Sequence, residues 1–147
     1  LLALSMQYLL DDFRSRGVTT EYEFVALVPI HSGSVTRRSA GQDLVQAMLK
    51  RGLRHLRSPP AELAVVDALI SRPIGVNQKE LNRDQRRTNV RGRFVARLDC
   101  RLDGVPILLV DDVMTTGSTV AAARAAMVAA GFNVVGAVVA AHRVKNR

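Results

Sequence analysis

"VPILLVDDVMTTGST", residues 105–119, carries the clearest structural signal in this sequence. Its apolar part, residues 107–110, predicts a buried strand, which leads directly into the adjacent carboxylates of Asp111 and Asp112. A turn of threonine, glycine and serine follows, and an alanine-rich stretch at residues 118–130 predicts a helix that a glycine ends. Ligands bind beyond the carboxyl ends of the strands in open α/β sheets. This strand–turn–helix unit therefore predicts a ligand site at the aspartates and the turn.

Strand and helix patterns alternate along the rest of the chain. Strands are predicted at residues 24–30, 63–70, 107–110 and 134–141, and helices at residues 1–16, 42–56 and 118–130. This alternation predicts an α/β domain with a mostly parallel sheet and helices on both faces. Residues 71–101 are arginine-rich and poor in apolar periodicity, which is typical of a functional loop or a disordered segment. We expect a single domain over residues 1–147.

Composition points to an anionic partner. The 147 residues include 21 Lys or Arg and 13 Asp or Glu, which gives a net charge of +8 and favours nucleic acid or a phosphorylated small molecule. The single cysteine, Cys100, excludes a disulfide within this chain and a cysteine-cluster zinc site. No apolar run reaches the roughly 18 residues that a membrane span needs, and no secretion signal is recognised. We therefore expect a cytoplasmic protein without a membrane partner.

The turn after the aspartates has the chemistry of a phosphate site. Unpaired N–H groups and the positive end of the helix dipole attract anions at a helix N-terminus. Gly117 allows close approach of the ligand to the backbone, and the neighbouring hydroxyls can donate hydrogen bonds. Carboxylates repel phosphate but accept hydrogen bonds from sugar hydroxyls, so a ribose 5-phosphate fits both halves of the site. The alternative is a pair of helix-capping aspartates before an ordinary turn.

The segment "ILLVDDVMTTGST" closely resembles the phosphoribosyl-pyrophosphate (PRPP) binding motif of type I phosphoribosyltransferases. Two other segments, "LVPIHSGSVTRRSAGQDL" and "SRPIGVNQKELNRDQRRTNVRGRF", resemble the ComF (competence protein F, GntX-like) branch of that family. The resemblance implies the type I phosphoribosyltransferase fold, with a mostly parallel sheet flanked by helices and a flexible hood at about residues 71–101. This chain lacks the zinc ribbon of paired cysteines that many ComF members carry, and Ser39 stands where the branch usually has glycine.

The resemblance also implies a role for each motif. The catalytic pair that contacts the ribose hydroxyls is Asp111 and Asp112. The loop for the 5-phosphate consists of Thr115, Thr116, Gly117, Ser118 and Thr119. The pyrophosphate loop contains Arg37, Arg38 and Ser39, and the hood contributes Gln78, Arg86, Arg87 and Asn89. The implied cofactor is Mg²⁺, held mainly through PRPP oxygens without a direct protein ligand.

The implied reaction displaces pyrophosphate from C1 of PRPP with the nitrogen of an unidentified acceptor. Thr115 stands where purine-salvage members generally have a proton-accepting aspartate, which disfavours hypoxanthine and guanine as acceptors. A non-catalytic ComF-like protein in DNA uptake or regulation is the rival, and it would bind nucleic acid through the basic clusters. Aromatic residues, 4% of the chain, offer few stacking platforms for single strands. A response-regulator receiver does not fit the order of the motifs, because its acidic pair sits near the start of the domain and too little chain follows Asp112 here. A homodimer stays open.

Overall fold

The computed structural model describes residues 7–8, 11–12, 15, 24–31, 44–56, 62–72 and 93–143 of the chain. In chain order its elements are strand β1 (Phe24–Pro29), helix α1 (Leu44–Leu53), strands β2 (Glu62–Val65), β3 (Leu69–Ser71), β4 (Phe94–Ala96) and β5 (Ile107–Met114), helix α2 (Ser118–Ala129) and strand β6 (Val134–His142). Residues 7, 8, 11, 12 and 15 are also helical, in line with the helix predicted over residues 1–16. None of the helices in these ranges is long and apolar enough to span a membrane.

Four strands form a parallel sheet in the order β2-β1-β5-β6. Leu27 of β1 aligns with Val65 of β2 on one side and with Leu108 of β5 on the other. After β1 the chain forms β2 at one edge of the sheet, and it later returns to the other side of β1 as β5. The strand order therefore reverses between β1 and β5. Such a reversal opens a crevice at the carboxyl ends of the two strands, which is where open α/β sheets bind ligands.

Side-chain alternation along the strands divides the interior into two buried clusters, one on each face of the sheet. Leu27 and Leu108 share one cluster with Leu49 of α1. Leu109 shares the other with Met127 of α2. All five side chains are fully buried. The predicted α/β class, with a parallel sheet covered by helices on both faces, is therefore confirmed.

The single strand predicted over residues 63–70 is wrong, because the structure has two strands there in different sheets. β2 belongs to the parallel sheet, whereas β3 pairs antiparallel with β4. The N–H of Val66 still donates to the β1 carbonyl of Leu27 (2.9 Å). The N–H of Ala68 instead donates to Val66 O (3.0 Å), a local bond within the chain segment. Asp67 lies at this turn with its side chain half exposed. A charged residue inside an apolar run therefore marks the place where the strand breaks.

The polar segment at residues 71–101 contains a strand, β4, that the sequence pattern did not predict. Its burial alternates, since Phe94 and Ala96 are buried and Val95 between them is only partly covered. Phe94 and Ala96 belong to the cluster on the α2 face. The N–H of Arg72 also donates to Arg93 O (2.7 Å), just beyond the paired strands. Both ends of the predicted hood are thus anchored on the core, while residues 73–92 lie outside the described residues.

Candidate functional site

β5 extends beyond its predicted end and carries the aspartates within it. β1 stops opposite Val110, whereas β5 continues to Met114, which pairs with His142 of β6. From Asp111 onward the strand is therefore bonded to β6 on one side and faces the end of β1 on the other. Asp111 and Asp112 thus lie at the crevice where the strand order reverses, although inside the strand rather than after it.

Asp111 is the buried carboxylate of the site. Its side chain is 3% exposed, and one of its carboxyl oxygens accepts a hydrogen bond from the N–H of Asp112 (2.9 Å). Burial, together with the neighbouring Asp112 carboxyl, raises the pKa of Asp111 to about 6, and Arg93 near β4 opposes the rise. A carboxyl group whose pKa is raised toward neutral pH inside a crevice is typical of functional sites.

Asp112 and Val113 complete the end of the strand. The carboxylate of Asp112 accepts a hydrogen bond from the N–H of Val113 (2.7 Å). Because successive strand residues alternate between faces, Asp111 and Val113 share one side of β5, and both line the same pocket. The two carboxyls therefore reach the crevice from the two faces of one strand.

The turn before α2 exposes hydrogen-bond donors. Gly117 has φ 72°, a left-handed conformation that glycine adopts without a steric penalty. The N–H of Ala121 donates to Gly117 O (2.9 Å), and the N–H groups that precede it have no carbonyl one turn back to receive them. Thr116 Oγ1 donates to Ser118 Oγ (2.9 Å) and accepts a long bond from the Ser118 N–H (3.4 Å). This geometry orders the hydroxyls around the positive end of the α2 dipole.

The carboxylate and the turn share one open pocket of about 190 Å³, its mouth included. Its lining residues are Asp111, Val113, Met114, Thr115, Thr116, Gly117, Ser118, Thr119 and Val120. That volume includes open solvent, so the pocket is shallow, and a ligand with an anionic group at the turn would extend beyond it into the crevice.

Part of the predicted site comes together here. The turn residues and Asp111 line one pocket, and Asp112 adjoins it. The predicted pyrophosphate and hood residues lie outside the described residues; these are Arg37, Arg38, Ser39, Gln78, Arg86, Arg87 and Asn89. Within the described ranges there is no group of three or more His, Cys, Asp or Glu side chains that could hold a metal ion.

Sequence reasoning missed a polar cluster at the end of the neighbouring strand. His31 follows β1 and is buried, and its Nε2 lies 3.2 Å from a carboxyl oxygen of Asp67. Arg97, which follows β4, approaches the other oxygen of Asp67 at 3.7 Å and pairs with Asp99 at 3.4 Å. The hydrogen bond from Arg97 lowers the pKa of Asp99. The one local signal for this cluster was Asp67, a charge inside an apolar run.

Comparison with known proteins adds little to this geometry. No family model matches the chain, and no curated protein matches it significantly. Among solved structures, the chain is similar to a hypoxanthine phosphoribosyltransferase from Staphylococcus aureus, with a TM-score of 0.39 and 12% identity over 97% of this chain. The chain spans 65% of the length of that enzyme's chain, just under two thirds.

Proposed function

We propose that the protein binds PRPP and transfers its phosphoribosyl group to a nitrogen acceptor, with release of pyrophosphate. One observation carries this proposal. A buried carboxylate, Asp111, lines the same pocket as the donor-rich turn at the α2 N-terminus, and it lies where β5 extends past the end of its pairing with β1. The resemblance of residues 105–119 to the PRPP motif of type I phosphoribosyltransferases supports the same ligand.

In the proposed complex the turn binds the 5-phosphate. The N–H groups of the first turn of α2 and the hydroxyls of Thr116 and Ser118 supply donors, and the helix dipole favours the negative charge. The ribose then lies over the end of β5, where the carboxylates of Asp111 and Asp112 accept hydrogen bonds from its 2- and 3-hydroxyls. Phosphate and carboxylates thereby contact different parts of one ligand.

The reaction that fits this arrangement is substitution at C1 of the ribose. The bond from C1 to the pyrophosphate oxygen breaks, its electron pair leaves with pyrophosphate, and a bond from the acceptor nitrogen to C1 forms. Positive charge develops on the ring as the first bond lengthens. The carboxylates of Asp111 and Asp112 stabilise that charge from the end of β5, and the fixed 5-phosphate holds C1 in place.

The donor set also fits a magnesium ion carried by the ligand. Mg²⁺ prefers oxygen ligands and is commonly held by substrate phosphates with one or two carboxylates. We propose that PRPP oxygens hold the ion without a direct protein ligand, while Asp111 and Asp112 contact the ribose hydroxyls. Bound magnesium would neutralise charge on the departing pyrophosphate.

We assign the chain to the ComF-like branch on the two flanking segments that resemble it, and this assignment bears on the acceptor. Thr115 is exposed at the start of the turn. Its hydroxyl cannot take a proton from a purine as the aspartate of purine-salvage members does. The proposed acceptor is therefore a nitrogen nucleophile other than hypoxanthine or guanine.

Binding of nucleic acid is the second candidate function, and exposed cations on α1 favour it. Lys50 and Arg51 in the last turn of the helix and Arg54 just beyond it are all exposed. Phosphate contacts by such residues would make the affinity fall steeply with salt. This surface would act without the pocket at α2, so the two functions can be separated by experiment.

Isothermal titration with PRPP and Mg²⁺ tests the first proposal, followed by a screen of nitrogen bases for release of pyrophosphate. We expect saturable binding of PRPP and release with at least one base. Single-stranded DNA titrated at several salt concentrations tests the second. Salt-sensitive DNA binding in a protein that does not bind PRPP would favour the second function over the first.

A further inference from the structure

We propose that Asp67 is a positioning residue for the pyrophosphate end of the bound ligand, acting through His31. This inference rests on the proposed function. The residues involved lie on the side of the crevice opposite the pocket at the α2 N-terminus, where the end of β1, the β2–β3 link and the residues after β4 meet.

His31 lies at the crevice. It directly follows Ile30, whose N–H donates to Val110 O (2.7 Å), the residue before Asp111. The imidazole is therefore attached to the strand next to the catalytic carboxylates, at the carboxyl edge where the strand order reverses. A ligand with its 5-phosphate in the turn after β5 and its ribose over Asp111 directs C1 and the pyrophosphate away from that turn. The direction available along this edge leads toward the end of β1.

Asp67 holds two groups at once. One carboxyl oxygen lies 3.2 Å from His31 Nε2, and the other lies 3.7 Å from a guanidinium nitrogen of Arg97. Because a carboxylate only accepts hydrogen bonds, the His31 nitrogen that faces it carries the proton. The backbone supports the arrangement, since the N–H of Arg97 donates to Ala68 O (2.9 Å). The β2–β3 link, the end of β4 and the end of β1 are thus joined through one side chain.

The substitution Asp67→Asn distinguishes a role of Asp67 in positioning His31 from a role in filling space. The asparagine amide has the shape of the carboxylate, and its oxygen can still accept a bond from His31. Its NH₂ group would then face the guanidinium of Arg97, donor against donor. The substitution removes one contact and the negative charge while the volume is kept. Without the contact to Arg97, the side chain at position 67 holds the imidazole less firmly relative to Asp111, and displacement of a positioning group by about 1 Å can cost a hundredfold in function.

The test compares affinities for PRPP and for inorganic phosphate, both with Mg²⁺, by isothermal titration. The variants are Asp67→Asn, Arg97→Gln and the control Asp99→Asn, which removes the other partner of Arg97 at 3.4 Å but leaves Asp67 intact. We expect Asp67→Asn to weaken PRPP binding about tenfold or more while phosphate affinity is unchanged. Arg97→Gln should shift PRPP affinity in the same direction, and Asp99→Asn should change neither affinity.

A merely structural role gives a different pattern. If Asp67→Asn binds PRPP as the wild type does, or loses PRPP and phosphate affinity equally, the positioning role is overturned. If Asp67→Asn does not fold, Arg97→Gln decides by the same comparison, because its half-exposed side chain contacts Asp67 from outside. Wild-type protein that binds phosphate but not PRPP would instead overturn the proposed function, so the two failures can be told apart.

Discussion

Asp111 shows how function and stability conflict at a single residue. Its side chain is almost fully buried near the end of β5, yet the proposed binding of ribose hydroxyls needs it as a carboxylate. Loss of hydration raises its pKa to about 6, so near neutral pH the protein keeps a negative charge where burial disfavours one. A residue retained against such a cost is expected to act on a ligand rather than to support the fold.

The pH dependence of stability should reveal this cost. In the folded protein the pKa of Asp111 is about 6, above the value of 3.8 expected without burial, so the folded state retains a proton that the unfolded chain releases. The stabilisation that this bound proton gives to the folded state is complete below about pH 4 and is lost as the pH rises through about 6. Asp111→Asn removes this dependence. We expect the free energy of unfolding of the variant, relative to wild type, to rise by about 2–3 kcal/mol between pH 4 and pH 7.

Denaturant unfolding at a series of pH values measures that difference. Asp99→Asn provides a contrast of opposite sign at lower pH, because Arg97 lowers the pKa of Asp99 and the contribution of this carboxylate to stability is lost only as the pH falls below about 4. An Asp111→Asn curve that runs parallel to the wild-type curve from pH 4 to pH 7 would show that burial of Asp111 does not perturb its ionisation.

At the scale of elements, β5, the turn and α2 act as one unit. The strand brings the carboxylates to the crevice, and the left-handed Gly117 redirects the chain so that α2 begins with its N-terminus at the pocket. A Cβ at this position would meet Met114 Sδ at 3.6 Å, an ordinary contact. The requirement for glycine is therefore conformational and does not come from lack of space.

Gly117→Ala and its control should distinguish the loss of stability caused by backbone strain from the loss of phosphate affinity. An alanine held at φ 72° costs about 1–2 kcal/mol, and relief of that strain rotates the N–H groups that line the pocket. The matched control is Gly131→Ala after α2, where φ is 86° and nothing lies within 4 Å of the added Cβ. We expect similar losses of stability in both variants, but reduced phosphate affinity in Gly117→Ala alone. Thermal unfolding and phosphate titration of both proteins measure this, and equal phosphate affinities would remove the turn from the site.

The sequence predicted some elements better than others, for physical reasons. β1, β6, α1 and α2 follow apolar periodicity and lie close to their predicted bounds. The β2–β3 boundary was missed because residues 63–70 are apolar apart from Asp67, and local hydropathy does not show which sheet a strand joins. β4 was missed because three residues are too few to establish alternation within an arginine-rich segment. The extent of β5 depends on its pairing with β6, which no local pattern reveals.

At the scale of the whole molecule, one of the two buried clusters lies on the face of the sheet away from the pocket. The cluster on the α1 face lies across the sheet from the cluster that includes α2, and the pocket is at the N-terminus of α2. The alternation of strands and helices was enough to predict a mostly parallel sheet with helices on both faces. Contacts between residues distant in sequence were not predictable, and His31 and Asp67, 36 positions apart, are the clearest example.

Leu49→Ala should therefore destabilise the protein without changing the site. Leu49 is fully buried on the α1 face, and truncation of such a leucine costs about 2–5 kcal/mol. We expect denaturant unfolding to show that loss, while PRPP affinity of the folded variant stays at the wild-type value. Weakened PRPP binding in the folded Leu49→Ala protein would mean that the α1 face takes part in the site.

The most direct test of the proposed ribose binding at the aspartates is titration of PRPP with Mg²⁺ into wild-type protein and into the folded double variant Asp111→Asn, Asp112→Asn. Each lost charge-assisted hydrogen bond should cost roughly 1.5–3 kcal/mol of binding free energy. We therefore expect PRPP binding to be lost or greatly weakened while inorganic phosphate still binds the turn. Unchanged PRPP affinity in the folded double variant would contradict the assignment of these carboxylates to the ribose.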